Sequence, residues 1–122
     1  MWEVHFMKDI HKTYSLVLGV VLGIVGVWGL FSQSILGIFG VNMLQSVLHL
    51  IAGGFGIYAG TKGTGHDFTR GIGWIAIALA VLGFIPYTAT LLMSLLNINM
   101  ATTVLHLAIG AVSLGLSYGV KK

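Results

Sequence analysis

The sequence predicts an all-α membrane protein: a four-transmembrane-helix bundle built from two parallel two-helix hairpin repeats, with both termini cytoplasmic. Three observations carry that prediction. The 122 residues are 57% hydrophobic and 7% charged, with a mean hydropathy of +0.98, whereas a soluble domain carries roughly 25% charged residues. Four apolar runs are each long enough to cross a hydrocarbon core of roughly 30 Å, which takes about 20 helical residues. Finally, Glu3, Lys8, Asp9, Lys12, Lys62, Asp67, Arg70, Lys121 and Lys122 all fall on the N-terminal tail, the link between spans 2 and 3, or the C-terminal tail. Four spans bring those segments to one side, and the positive-inside rule makes that side the cytoplasm. Tyr14, Tyr58, Trp74 and Tyr118 fall near the same interface, where an aromatic belt is expected.

Composition also excludes several function classes. With no cysteine, disulfides, iron–sulfur clusters, thiolate metal sites and a c-type haem linkage are ruled out. The net charge of +3 comes from six basic residues with no cluster beyond Lys121-Lys122, so nucleic acid is not an expected partner. The bilayer is.

Residues 1–12 place Trp2, Phe6 and Ile10 four apart, which suits a short interfacial helix. Lys8 and Lys12 precede an apolar run in the manner of a signal peptide. That run exceeds the usual 7–15-residue signal core, so it is read as the first span, about 13–31. Gly19, Gly23 and Gly26 form a small-residue groove along it, a device that lets helices approach backbone to backbone. The groove is expected to serve packing, including self-association into a homo-oligomer or a larger membrane complex.

The 1–2 link, Ser32 to Val41, is apolar and uncharged and is expected to stay near the membrane surface. Span 2, about 41–60, stacks Asn42, His49, Gly53, Gly56 and Gly60 on one helical stripe. The link that follows, TKGTGHDFTR, lacks the G-x-x-x-x-G-K-[ST] order of a phosphate loop. Span 3, about 71–96, contains Pro86, expected to kink it, with Thr88 or Thr90 satisfying freed backbone groups. Span 4 covers about 98–118.

Span 4 repeats span 2 at an offset of fifty-seven. Asn42, Met43, Val47, Leu48, His49, Leu50 and Gly53 recur as Asn99, Met100, Val104, Leu105, His106, Leu107 and Gly110, and Gly56 becomes Ser113. Two spans per half keep both halves in one orientation, so a pseudo-two-fold axis would lie along the membrane normal. The four apolar spans and the motif Asn-x6-His-Leu-x2-Gly in spans 2 and 4 resemble a family of small prokaryotic four-helix membrane proteins catalogued as a domain of unknown function. The resemblance covers nearly the whole chain. It implies a four-span architecture in a prokaryotic cytoplasmic membrane and supplies no activity.

His49 and His106 are the sharpest candidates for chemistry, since an ionisable group inside a bilayer is a functional hypothesis by default. Three readings stand. In the favoured one each imidazole bonds a backbone carbonyl, Gln45, Ser46, Thr103 or an Asn of a neighbouring helix and fixes helix register. In the second the pair ligates a haem or chlorin, although the outer half offers no Arg or Lys for propionates. In the third Asn42, Gln45, His49, Asn99, Thr102 and His106 line a proton or ion path, although no span holds an Asp or Glu to complete a relay. No metal site is expected, because two His leave zinc short of ligands; His5, His11, His66 and Asp67 stand at unremarkable spacing. No enzyme is expected either, for want of paired carboxylates or a nucleophile with its base. Together these point to a structural, accessory or scaffold protein without a cofactor.

Overall fold

The computed structural model describes residues 2–120, and the side chains of residues 10–120. It is mostly helical. In chain order it runs α1 (Trp2–Phe31), β1 (Ser34–Ile35), β2 (Phe39–Gly40), α2 (Met43–Lys62), α3 (His66–Phe84), α4 (Pro86–Leu96) and α5 (Met100–Gly119). Four helices are long and apolar enough to cross a membrane: α1 from Ile10 onward, α2, α3 and α5.

Burial is inverted relative to a water-soluble domain. Exposed side chains along the helices are large and apolar, among them Val17, Ile24, Ile51, Phe55, Val81 and Val112. Buried ones are small or polar: Ser15, Ser46, Thr69, Thr102, Thr103, Ser113 and Ser117. Lipid supplies the apolar solvent here, so helices associate by close packing and hydrogen bonds rather than by hiding hydrocarbon.

Packing divides the helices into two hairpins, α1 with α2 and α3 with α5, with sparse contact between the pairs. The α1–α2 seam is glycine on glycine. A Cβ on Gly19 would lie 2.6 Å from the Ile57 nitrogen and 2.8 Å from the Gly53 carbonyl oxygen, and one on Gly53 would lie 2.8 Å from the Gly23 nitrogen. Gly26 faces Leu50, and Gly60 faces Leu16. The groove of Gly19, Gly23 and Gly26, expected to serve packing, meets the chain's own α2 at Gly19 and Gly26 and along the Gly23 backbone, while the Cβ position of Gly23 is open. In the α3–α5 seam Ala76, Ala80, Ser113 and Thr103 are buried, Gly110 faces Ile77, Gly73 faces Ser113, and Gly83 leaves room for Thr103.

Several elements differ from expectation, and α3 starts at His66 rather than near residue 71. Residues 2–12 continue directly into the first span, giving one 30-residue helix, about 45 Å long; the aromatic face expected of Trp2 and Phe6 lies outside the described side chains. Pro86 does more than kink span 3. Ile85 is extended (φ −92°, ψ 120°), α3 stops at Phe84, and Pro86 opens α4. The ring disfavours a helical residue before it and suits the first helical position, where no N–H is needed. Thr88 Oγ donates to the Leu82 carbonyl at 2.5 Å, satisfying part of the broken turn. Lastly, the 1–2 link folds back on itself: Ile35 pairs with Phe39 across a turn in which Leu36 (φ 59°) and Gly37 (φ 70°) are left-handed.

Gly65 joins the hairpins at the charged end. Its φ is +79°, and a Cβ there would collide with the backbone carbonyl of His11. Gly65→Ala is expected to cost about 1–2 kcal/mol from backbone conformation alone, with the collision adding to it. Gly23→Ala, whose Cβ meets nothing within 4 Å, should stay within about 0.5 kcal/mol of the parent. Thermal unfolding in detergent compares the two directly.

Candidate functional site

At the uncharged end, outside the long helices, backbone carbonyls must find donors, because a bilayer provides none. Side-chain amides supply them. Asn42 caps α2, its Oδ1 accepting the Gln45 N–H at 2.9 Å, while its Nδ2 donates to the Leu95 carbonyl at 2.9 Å. Asn99 caps α5 in the same way, accepting the Thr102 N–H at 2.9 Å and donating to the Ile38 carbonyl at 2.9 Å. Each cap thus reaches the other hairpin, and Ile38 and Leu95 stand fifty-seven apart just as the two asparagines do. Gln45 Nε2 donates to Gly40 (3.1 Å) and Leu96 (2.6 Å), and Thr102 Oγ also reaches Gly40. Asn97, left-handed at the end of α4, donates to Gln33 and Val41.

Below this clamp lies a chamber of about 330 Å³ between the hairpins, partly open to the outside of the bundle. Ile35, Phe39, Val41, Leu96 and Ile98 line it toward the uncharged end. Its wall is drawn from all four spans, and many lining residues come as pairs fifty-seven apart: Leu18 and Ile75, Leu22 and Leu79, Gln45 and Thr102, Leu48 and Leu105, His49 and His106, Ala52 and Ile109. No Asp, Glu, Lys or Arg is among the residues that line it.

His49 and His106 therefore share one chamber. No hydrogen bond joins either imidazole to another described residue, and the Nδ1 of each is buried without a partner. The bonds to carbonyls or polar neighbours expected of them are not among those that the described residues make. Ser46 Oγ is likewise buried without a partner, packed against Gly29, and Thr103 is packed against Gly83. Gln45 keeps a buried Oε1 free to accept. Asn42 and Asn99, expected to line a polar path, do not line the chamber; they are caps and cross-hairpin donors. The amide role was readable in outline, since Asn just ahead of an apolar helical run is a strong N-cap signal. The residue pattern holds no signal for the role of Asn97 or for the chamber walls on α1 and α3.

The charged end carries a second cluster. His11 Nε2–H donates to the Val120 carbonyl at 2.5 Å, and His66 Nε2–H donates to Ser117 at 2.9 Å. Arg70 donates to the same Ser117 carbonyl at 3.1 Å while lying 4.0 Å above the Tyr118 ring. The His11 and His66 rings meet edge to face at 4.7 Å. Three side chains from α1 and α3 thus donate to carbonyls at the end of α5, which no further helical turn satisfies. His5 lies outside the described side chains. Among the described residues no three His, Asp or Glu come together as metal ligands.

Fold and site together define a small helical membrane protein with four spans and a histidine-bearing chamber between two hairpins. The chain belongs to the family described as Domain of unknown function (DUF4383), whose model matches residues 12–119. No curated protein and no solved structure matches it.

Removing either cap should cost about 1 kcal/mol of helix capping together with a cross-hairpin bond. Asn42→Ala and Asn99→Ala are each expected to lower the melting temperature and to speed amide exchange of the 32–42 link. Gly40→Ala, whose Cβ would collide with the Asn97 carbonyl, should do the same more strongly.

Proposed function

We propose that this chain is an accessory protein of a prokaryotic cytoplasmic membrane, with both termini cytoplasmic, that binds a neutral lipophilic molecule between two repeated hairpins without transforming it. One observation carries the reading: two imidazoles with no protein partner line an apolar chamber of about 330 Å³, a size within the range of small-molecule sites. The Nδ1 atoms are packed within the protein, which leaves the Nε2 edge of each ring, bonded to no described residue, for a ligand in the chamber; a neutral imidazole nitrogen offers a donor or an acceptor there.

Charge decides the ligand's class. A carboxylate or phosphate placed against this wall would meet no cation, and a buried unpaired charge is far costlier than a buried carbonyl. A haem or chlorin of the propionate-bearing kind meets the same objection. A proton path finds little support, since no Asp or Glu lines the chamber and the two asparagines are engaged elsewhere. The pairing of lining residues at a constant offset supports the two-repeat reading, and the grouping of all charges on alternate links supports the orientation.

Native mass spectrometry of the protein purified in mild detergent is expected to reveal a co-purifying neutral lipid. Ala52→Phe, which fills the chamber from one wall, should release it while the bundle stays folded by circular dichroism. If the parent carries no lipid and His49→Ala/His106→Ala changes only thermal stability, the histidines serve the fold and the reading fails.

A further inference from the structure

Resting on the chamber reading above, we infer that the molecule held there is a 1,4-quinone, with one carbonyl oxygen bonded by His49 and the other by His106. The argument is one of number and symmetry. The chamber's two imidazoles are matched by the repeat, one from α2 and one from α5, in walls whose other members are also matched across the hairpins, as with Leu22 and Leu79 or Gln45 and Thr102. A ligand that satisfies both must carry two like groups on a rigid apolar body, and must be neutral.

A single-headed lipid such as diacylglycerol or an isoprenoid alcohol would engage one imidazole and leave the other unpaired. A quinone ring presents two carbonyl acceptors at opposite edges of a flat, otherwise apolar ring, and a neutral imidazole has one N–H to give. Its apolar tail leaves through the open side of the chamber into lipid. No electron or proton transfer is part of this assignment; the association is reversible hydrogen bonding and contact.

The test uses the full-length protein in detergent or nanodiscs and a short-tailed 1,4-naphthoquinone carrying ¹³C at one carbonyl or the other. Infrared difference spectra are expected to show both carbonyl stretches moved to lower frequency on binding. His49→Phe should return one of them to its free position and His106→Phe the other, each weakening binding about fivefold. His49→Gln, which keeps a donor, should retain more of the shift than the Phe variant; should a Phe variant fail to fold, the two labelled spectra of the parent still decide. A shift of one carbonyl only, or a haem-type absorption band in protein from its native membrane, overturns the assignment. So does failure to bind the naphthoquinone by a protein that co-purifies with another neutral lipid, which leaves the chamber reading intact. Failure to bind any neutral lipid sinks both.

Discussion

Backbone that leaves a helix inside a membrane must be hydrogen-bonded by the protein itself, and this constraint shapes the molecule more than any other. The link between α1 and α2 and the junction of α4 with α5 expose carbonyls at Gln33, Ile38, Gly40, Val41, Leu95 and Leu96, and amide side chains take all six. Because the amides belong to the opposite hairpin in several of these bonds, satisfying the backbone also joins the halves. At the other end His11 and Tyr14 of α1 reach α5, at Val120 and Ser113, while Gly65 lies against His11. The hairpins are clamped at both ends. Between the clamps they touch little, and the chamber lies there.

Packing within each hairpin reinforces that arrangement. Glycines let α1 and α2 approach to backbone contact, and Ala, Ser and Thr do the same work for α3 and α5 with slightly more bulk. Small residues are therefore concentrated on the faces that meet inside a hairpin. The faces that meet between hairpins carry Leu, Ile, Val and the two histidines. Such side chains hold the pairs apart, so a chamber is the expected product of this distribution rather than a packing fault.

Much of this was legible in the residues. Hydropathy and charge placement gave four spans, and the repeat gave two histidines at matched positions. What a single helix pattern lacks is the identity of the partner: Gly19, Gly23 and Gly26 announce a close approach but suit a second copy as well as α2. Asn42 shares a helical stripe with His49 by arithmetic, yet it sits at the cap, where its amide is drawn to the free N–H of Gln45 and a carbonyl across the bundle. Hydropathy predicts only a kink at Pro86, because the apolar run continues past it; the restriction on Ile85 is local chemistry that hydropathy does not record. That neither imidazole finds a bonding partner among the described residues depends on three-dimensional neighbours and lies beyond any pattern.

Histidine, rather than a residue of fixed hydrogen-bond sense, is informative in its own right. Asn and Gln side chains also pair a donor with an acceptor, and the protein uses them where a permanent bond to backbone is wanted. An imidazole can exchange its donor and acceptor nitrogens by changing tautomer while staying neutral. Against a quinone it donates; against the corresponding quinol, whose hydroxyls donate, it accepts. Two such rings in a chamber without charge therefore suit both redox states of one molecule with no net change in buried charge. That is the behaviour wanted of a carrier or holding site in a membrane, and it accords with a chamber wall that offers no acid to drive a proton relay.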